Sequence, residues 1–237
     1  MPDKEIGSEA RAVLFDVDGT LVDSNYLHVH SWQRAFAEVG IDVETWRIHR
    51  SIGMDGSTLV RSLSDDAPDE TQKLLKDLHS QFYAEMASLL RPLPGARTLL
   101  QRVAALGLKV VLATPTLGGP RETELALLRK VLDCDDLVAG VTSAADVDTA
   151  KPKPDIIQVA LQRAGVSTDG AVFVGDAIWD AEACARAHVI SIGVLSGGVS
   201  QAELENAGAV LVFENADDLV KHIEETPIAR LGSIGLS

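Results

Sequence analysis

Three observations in the sequence predict an α/β fold: a doubly wound parallel sheet with an all-helical block inserted after its first strand. First, a short apolar run at residues 12–15 leads directly into Asp16 and Asp18, which is typical of a strand buried on both faces. Second, strand-like and helix-like segments alternate from residue 92 onward. Third, residues 24–90 show helical spacing and no strand-like segment. Because one strand cannot stand alone, the first strand must join the later ones.

The predicted core therefore consists of residues 1–22 and 92–237, and residues 23–91 form the inserted helical domain. Apolar side chains within residues 29–39 share one face of the first inserted helix, which Gly40 ends. An inserted block at this point lies over the carboxyl edge of the sheet, where it can act as a lid. The helices predicted in the insertion span residues 24–39 (with Ser24 as N-cap), 44–52, 57–63 and 69–90.

In the rest of the chain predicted strands and helices alternate, and glycines such as Gly107 and Gly165 end the helices. The tail at residues 226–237 has only weak structural signals. The predicted strands span residues 12–16, 108–113, 137–141, 171–175, 189–194 and 209–213. The helices predicted after the insertion span residues 96–106, 121–132, 155–164, 178–187, 201–206 and 217–224.

Charge and composition exclude several classes of partner. The formal net charge is −14, so the surface repels phosphate backbones and nucleic acid is not an expected partner. No apolar run reaches membrane-spanning length, and residues 1–10 do not resemble a signal peptide, so we expect a cytoplasmic protein without membrane contact. Cys134 and Cys184 lack metal-ligand spacing and are interpreted as free thiols. We expect a monomer or a homodimer.

Polar side chains follow the predicted strands at the points where the strands end. Because the carboxyl ends of parallel strands meet at one edge of a sheet, these side chains should surround one crevice. Carboxylates there suit Mg²⁺, and together with a lysine and a hydroxyl they suit phosphoryl transfer. The residues concerned are Asp16, Asp18, Thr114, Lys151, Asp176 and Asp180.

The carboxylates and the lysine of this set also have plain structural explanations. Asp16 and Asp18 are common turn formers after a strand, and Lys151 fits a solvated surface position. Asp176 fits a helix N-cap, and Asp180 fits an acid that complements the helix dipole in the first turn. The functional interpretation therefore depends on their occurrence together.

Together these motifs resemble those of the haloacid dehalogenase superfamily. Residues 16–20, with the sequence DVDGT, match its first motif, and Thr114 stands at the position of the second. Residues 151–155 resemble the third motif, and Gly175-Asp176 with Asp180 resembles the fourth. The resemblance covers nearly the whole chain, and the helical insertion resembles the α-helical cap of the phosphoglycolate phosphatase and β-phosphoglucomutase branch.

The resemblance implies a role for each matched residue. Asp16 would be the nucleophile that forms an aspartyl-phosphate, and Asp18 would be the general acid and base. Thr114 and Lys151 would hold phosphoryl oxygens. Dehalogenases of this superfamily lack the second Asp of the first motif, so Asp18 favours a phosphate substrate. The implied Mg²⁺ ligands are Asp16, the backbone carbonyl of Asp18, and Asp176. Asp180 would bind the ion through a water molecule or would hold another ligand in place.

Further residues are expected to contact a small phosphate ester. His28 matches a histidine that related caps direct at the catalytic acid, and Arg50 would bind a substrate anion or remain a surface residue. Pro115 has no N–H where the family commonly supplies one to phosphate. Either Thr116 or the Gly118-Gly119 turn would replace that donor, or phosphate would bind more weakly. The expected substrate-binding residues are Gly19, Thr20, His28, Arg50, Gly53, Met54 and Thr116.

The sequence thus predicts a Mg²⁺-dependent phosphatase that acts on a small organic phosphate. One alternative is a sugar phosphomutase of the β-phosphoglucomutase type, although Gly175 stands where those mutases carry Glu. A response-regulator receiver also carries an aspartate that is phosphorylated, but it lacks an inserted helical block. A non-catalytic phosphate-binding relative is the last alternative, and only Pro115 favours it.

Overall fold

The computed structural model describes residues 10–114, 122–142 and 151–233. Within these residues one parallel sheet has the strand order β3-β2-β1-β4-β5-β6. The order reverses direction at β1, so the sheet is doubly wound and the predicted α/β class is confirmed. Its strands are β1 (Ala12–Phe15), β2 (Lys109–Ala113), β3 (Val138–Thr142), β4 (Ala171–Gly175), β5 (Ile190–Val194) and β6 (Leu211–Phe213).

The first strand lies at the centre of the sheet. β1 pairs in parallel with β2 on one side and with β4 on the other, and all four of its residues are fully buried. Burial on both faces explains why this strand is an unbroken apolar run rather than an alternating one. Its central place also brings the residues after β1, β2 and β4 together at the carboxyl edge.

Helices cover both faces of the sheet and build the insertion. One apolar cluster includes Leu99 and Leu219 on one face, and another includes Ile156 and Cys184 on the other. No helix within the described ranges has both the length and the apolar character needed to cross a membrane. The helices are α1 (Asn25–Glu38), α2 (Thr45–Ser51), α3 (Gly56–Leu63), α4 (Asp69–Glu85), α5 (Ala96–Ala105), α6 (Glu122–Leu132), α7 (Asp155–Ala164), α8 (Ile178–Ala187), α9 (Gln201–Ala207), α10 (Ala216–Lys221) and α11 (Pro227–Ser233).

The helices α1 to α4 of the insertion share an apolar core of their own, which includes Trp32, Ile48 and Leu75. The helix predicted over residues 69–90 is shorter in the structure, because α4 ends at Glu85 and a 3₁₀ turn follows. Such tightening is common at a helix end, and helical spacing in the sequence does not reveal it.

The expectation of a weakly structured tail is wrong for the part that the structure describes. Residues Pro227–Ser233 form α11, and Ile228 in this helix is fully buried. The Thr226 hydroxyl accepts a hydrogen bond from the Ile228 amide at 3.2 Å, and proline occupies the first helical position. Arg11 donates to the Leu231 carbonyl at 3.0 Å and fastens the helix to the start of β1.

Candidate active site

A fully buried lysine joins two carboxylates at the carboxyl edge of the sheet. Lys151 Nζ lies 2.6 Å from Asp16 Oδ1 and 2.5 Å from Asp180 Oδ1. Asp16 follows β1, and its amide donates to Val174 O of β4 at 2.9 Å, which fixes its position against the neighbouring strand. The lysine is therefore not a surface residue, since both charges that it meets are also buried.

Asp16, Asp176 and Asp180 form a cluster with the geometry of a cation site. Among the described residues these three each offer a ligand atom within 4.8 Å of the others, and all three are buried. Asp176 accepts hydrogen bonds from Thr20 Oγ1 at 2.7 Å and from Asn25 Nδ2 at 2.8 Å. Thr20, expected to contact substrate, thus contacts one of the clustered carboxylates.

The electrostatics of this cluster favour a bound cation. Burial, together with the negative charge of Asp180, raises the pKa of Asp176 to about 7. Burial likewise raises the pKa of Asp16 well above its usual range, although Lys151 opposes that shift. Burial alone would lower the pKa of Lys151, but Asp16 and Asp180 outweigh it and raise this pKa. One lysine does not neutralise three clustered carboxylates. A divalent cation that prefers oxygen ligands would balance the remaining negative charge.

Asp18 lies apart from this cluster and has different partners. Its Oδ1 accepts a hydrogen bond from Ser24 Oγ at 2.5 Å and lies 3.2 Å from His28 Nε2. Burial would raise the pKa of Asp18, but the charge of His28 and hydrogen bonds from His28 and Ser24 lower it. Ser24 is the N-cap residue of α1, yet its side chain makes no capping hydrogen bond because it is engaged with Asp18.

His28 belongs to a buried aromatic stack within the insertion. Its Nδ1 lies 3.1 Å from His79 Nε2, and its ring stacks on Tyr83 with centroids 4.2 Å apart. Trp32 stacks on His79 with centroids 4.0 Å apart, so it is a core residue as its apolar helix face indicates. Sequence reasoning missed His79 and Tyr83, although their spacing of four residues on α4 places them on one helix face.

Thr114 and Gly19 also lie at this edge. Thr114 follows β2 and is fully buried, and its amide donates to Thr142 O at 3.1 Å. Gly19 has φ +78°, and a Cβ there would overlap both Asn25 and Asp176, so only glycine fits this turn. Ser196 Oγ donates to Gly19 O at 2.6 Å. Pro115 and Thr116 lie outside the described residues.

The α2 segment contacts the core outside the carboxylate cluster. Arg50 Nη2 lies 2.6 Å from Glu203 Oε1 on α9, so its guanidinium contacts the core. Gly53 packs against Ala177, the residue that follows Asp176. Met54 is half-buried against the apolar core of the insertion.

Comparisons with known proteins agree with this geometry. The profile of the haloacid dehalogenase-like hydrolases matches residues 10–188. A phosphoglycolate phosphatase of Rhodospirillum rubrum is 30% identical over 86% of this chain and 87% of its own length. A phosphorylated carbohydrates phosphatase of Thermotoga maritima is 29% identical over 86% of this chain and 94% of its own length.

Solved structures of other proteins are similar to this chain over most of its length. A hydrolase from Pseudomonas syringae superposes with a TM-score of 0.84 at 37% identity and covers 91% of this chain and 98% of its own. A structure described as a β-phosphoglucomutase from Bacteroides vulgatus also gives a TM-score of 0.84, at 24% identity, with 95% of this chain and 91% of its own covered. At 24% identity, the similarity to the Bacteroides vulgatus structure supports a shared fold and nothing further.

Proposed function

The chain belongs to the haloacid dehalogenase-like hydrolases, and we propose that it is a Mg²⁺-dependent phosphatase of small organic phosphate monoesters. Relatives named as phosphatases of phosphoglycolate and of phosphorylated carbohydrates support a phosphatase enzyme and a small substrate. The observation that carries the proposal is the buried lysine between Asp16 and Asp180, beside a third carboxylate. Such a set neutralises and positions a phosphoryl group.

Asp16, Asp176 and the backbone carbonyl of Asp18 are the groups that would hold Mg²⁺, with Asp180 assisting. The bound ion would neutralise phosphoryl oxygens and lower the pKa of Asp16, so that this carboxylate is ionised for attack. Thr20 and Asn25 hold Asp176 by one hydrogen bond to each oxygen, which fixes its orientation.

Catalysis would proceed in two displacements at phosphorus. Asp16 attacks the phosphorus atom, the bond to the ester oxygen breaks, and Asp18 protonates the departing oxygen. Asp18 then takes a proton from water, the water oxygen attacks phosphorus, and the bond to Asp16 breaks to release inorganic phosphate. An approaching phosphate anion raises the pKa of Asp18, which enables this carboxyl group to carry the proton that it donates.

Gly175 supports hydrolysis rather than a mutase reaction. A Cβ at this position would overlap the Asp180 carboxylate and the Phe173 ring. Asp180 Oδ2 accepts a hydrogen bond from the Ala177 amide at 3.1 Å and so occupies the space that a side chain at 175 would need. The glutamate that the related mutases carry there does not fit unless Asp180 moves.

We further propose that residues 23–91 form a cap domain over a core of residues 1–22 and 92–237. Ser24, Asn25 and His28, at the start of the cap, reach the catalytic carboxylates directly. Such contacts suit a lid that excludes bulk water and leaves one water for hydrolysis. Two buried free cysteines suit a reducing compartment such as the cytoplasm, and a monomer or homodimer remains our prediction.

The test is phosphate release from a panel of small phosphate esters, with Mg²⁺ and with EDTA. We expect Mg²⁺-dependent release that is strongest for one ester and is abolished by Asp16→Asn. Asp42→Asn, at an exposed position of the insertion, is the matched control and should retain activity. Transfer of the phosphoryl group to a second hydroxyl of a hexose phosphate would instead identify a mutase, and binding without turnover would contradict both.

A further inference from the structure

Side chains and a backbone carbonyl of α2 contact the core, and these contacts do not involve the catalytic carboxylates. Arg50 uses two groups there: its guanidinium pairs with Glu203 at 2.6 Å, and its carbonyl accepts a hydrogen bond from Trp179 Nε1 at 3.1 Å. That carbonyl is in the last turn of α2, where a helix leaves its carbonyls without internal partners. The core therefore completes the end of this helix.

Glu203 is held in place independently of Arg50. Its Oε2 accepts hydrogen bonds from the Ser200 amide at 3.1 Å and the Ser200 hydroxyl at 2.7 Å, which makes it part of the N-terminal cap of α9. Its other oxygen, Oε1, is directed to Arg50. The hydrogen bonds from Arg50 and Ser200 lower the pKa of Glu203 to about 2. A carboxylate fixed in this way is a rigid receptor for a cation on another segment.

Two further contacts flank this pair. His49 Nε2 lies 3.0 Å from Gly197 O, and the His49 ring stacks on Tyr26 with centroids 5.2 Å apart. Gly53, in the turn after α2, packs so closely on Ala177 that a Cβ would overlap it. Because Ala177 directly follows Asp176, this packing places the turn after α2 beside the carboxylate cluster.

We propose that Arg50 and Glu203 form a docking ion pair that positions α2 and its following turn over the crevice, and that Arg50 does not bind the substrate anion. The pair is a positioning device, because neither side chain touches the reacting groups. Its loss would loosen α2 and weaken substrate retention, while the carboxylates and Lys151 would stay in place. Only the kinetic part of this inference rests on the proposed phosphatase activity.

A charge exchange distinguishes docking from substrate binding. Arg50→Glu and Glu203→Arg each place like charges at the contact, whereas the double variant restores an opposite pair in reverse order. If Arg50 bound substrate, the double variant would lack that cation at position 50 and would be as impaired as Arg50→Glu. If the residues dock, the double variant would recover.

We would measure hydrogen exchange in peptides that cover residues 45–54, together with kcat and KM for p-nitrophenyl phosphate with Mg²⁺. Each single variant should exchange faster and raise KM by about fivefold, with a smaller change in kcat, and the double variant should return to within about twofold. Arg47→Glu is the matched control, because Arg47 lies on the same helix and its ion pair within the described ranges is with the neighbouring Glu44. Ser200→Ala controls for the capping role of Glu203.

The outcomes separate the two proposals. Recovery of exchange and of KM in the double variant supports docking. Unchanged exchange in the single variants, or a double variant no better than Arg50→Glu, overturns it. If the wild-type chain hydrolyses no ester, the phosphatase proposal fails, and the exchange measurement alone still decides whether the ion pair docks α2.

Discussion

The ion pairs of Lys151 and the ion pair of Arg50 each connect distant parts of this chain, and their surroundings are opposite. Lys151 between Asp16 and Asp180 is fully buried, whereas the side chains of Arg50 and Glu203 are 41% and 38% exposed. Removing charges from water costs several kcal/mol per ion, and a buried pair often fails to recover that cost. An exposed pair costs little to form and contributes about 0–1 kcal/mol. The buried lysine and carboxylates are therefore explained by a role in catalysis rather than in stability. The exposed pair of Arg50 and Glu203 suits a contact that can form and break at little cost.

The strongest test of this contrast is Lys151→Met. The substitution keeps the volume but leaves Asp16 and Asp180 buried without their cation, so we expect a loss of stability of about 3–5 kcal/mol. Activity should fall by at least about 100-fold, because a cation at the transferring phosphoryl group is lost. Urea unfolding and kcat for p-nitrophenyl phosphate measure the two effects.

Lys109→Met is the control for this experiment. Lys109 begins β2 at the amino end of the sheet. Its ammonium donates a hydrogen bond at 2.6 Å to the backbone carbonyl of Ala164, the last residue of α7. This variant should lose modest stability and keep its kcat. Equal loss of kcat in both variants would show that Lys151 acts through stability alone.

A second test uses the raised pKa of Asp176. Because this pKa is about 7, the carboxyl group holds a proton below that pH, and Mg²⁺ must displace it. The apparent Mg²⁺ affinity should therefore fall about tenfold per pH unit below about pH 7. The raised pKa of Asp16 can only steepen this dependence.

Titration calorimetry between about pH 5.5 and pH 8 would measure this dependence, and two buffers of different ionisation enthalpy would count the released protons. Asp176→Asn should bind Mg²⁺ weakly and lose most of the pH dependence. An affinity that stays constant over this range would remove Asp176 from the metal site.

His28 tests how the insertion influences the core. In His28→Gln the imidazole charge beside Asp18 is absent, so the pKa of Asp18 should rise. We expect kcat to fall about tenfold, with the acidic limb of the pH–rate profile moved to higher pH. His30→Gln, two residues along the same helix and exposed, should match the wild type. Identical profiles for the two variants would argue against a role for His28.

The sheet could be predicted from the sequence because buried parallel strands leave unbroken apolar runs, and their order places Asp16 and Asp176 at one edge. The partners of these residues could not be predicted. Asn25 donates to Asp176, which lies 151 positions later in the chain, and no local pattern records which side chains meet in three dimensions. The contact of His28 with His79, 51 positions later, is hidden for the same reason. Ser24 is the N-cap residue of α1, as local rules predict, but those rules do not reveal that its hydroxyl donates a hydrogen bond to Asp18.

The helix α11 was missed for a different reason. Thr226 and Pro227 are recognisable start signals, but the helix is short, and its stability comes from burying Ile228 against the core. Local patterns also do not record the ion pair between Arg50 and Glu203, a residue 153 positions later in the chain. Both contacts join segments that are far apart in the sequence.

The smallest expected effect is a difference in salt dependence between the buried ion pairs of Lys151 and the exposed pair of Arg50 and Glu203. Raising the ionic strength from about 0.05 M to about 0.5 M shortens the screening length to a few ångströms, which weakens exposed charge pairs and leaves buried ones nearly unchanged. Exchange in residues 45–54 should therefore quicken by about twofold in the wild type. Arg50→Gln, which has no ion pair to screen, should show no such change. An equal response in both proteins would mean that salt acts on α2 through other contacts, and the exposed pair would lose its docking role.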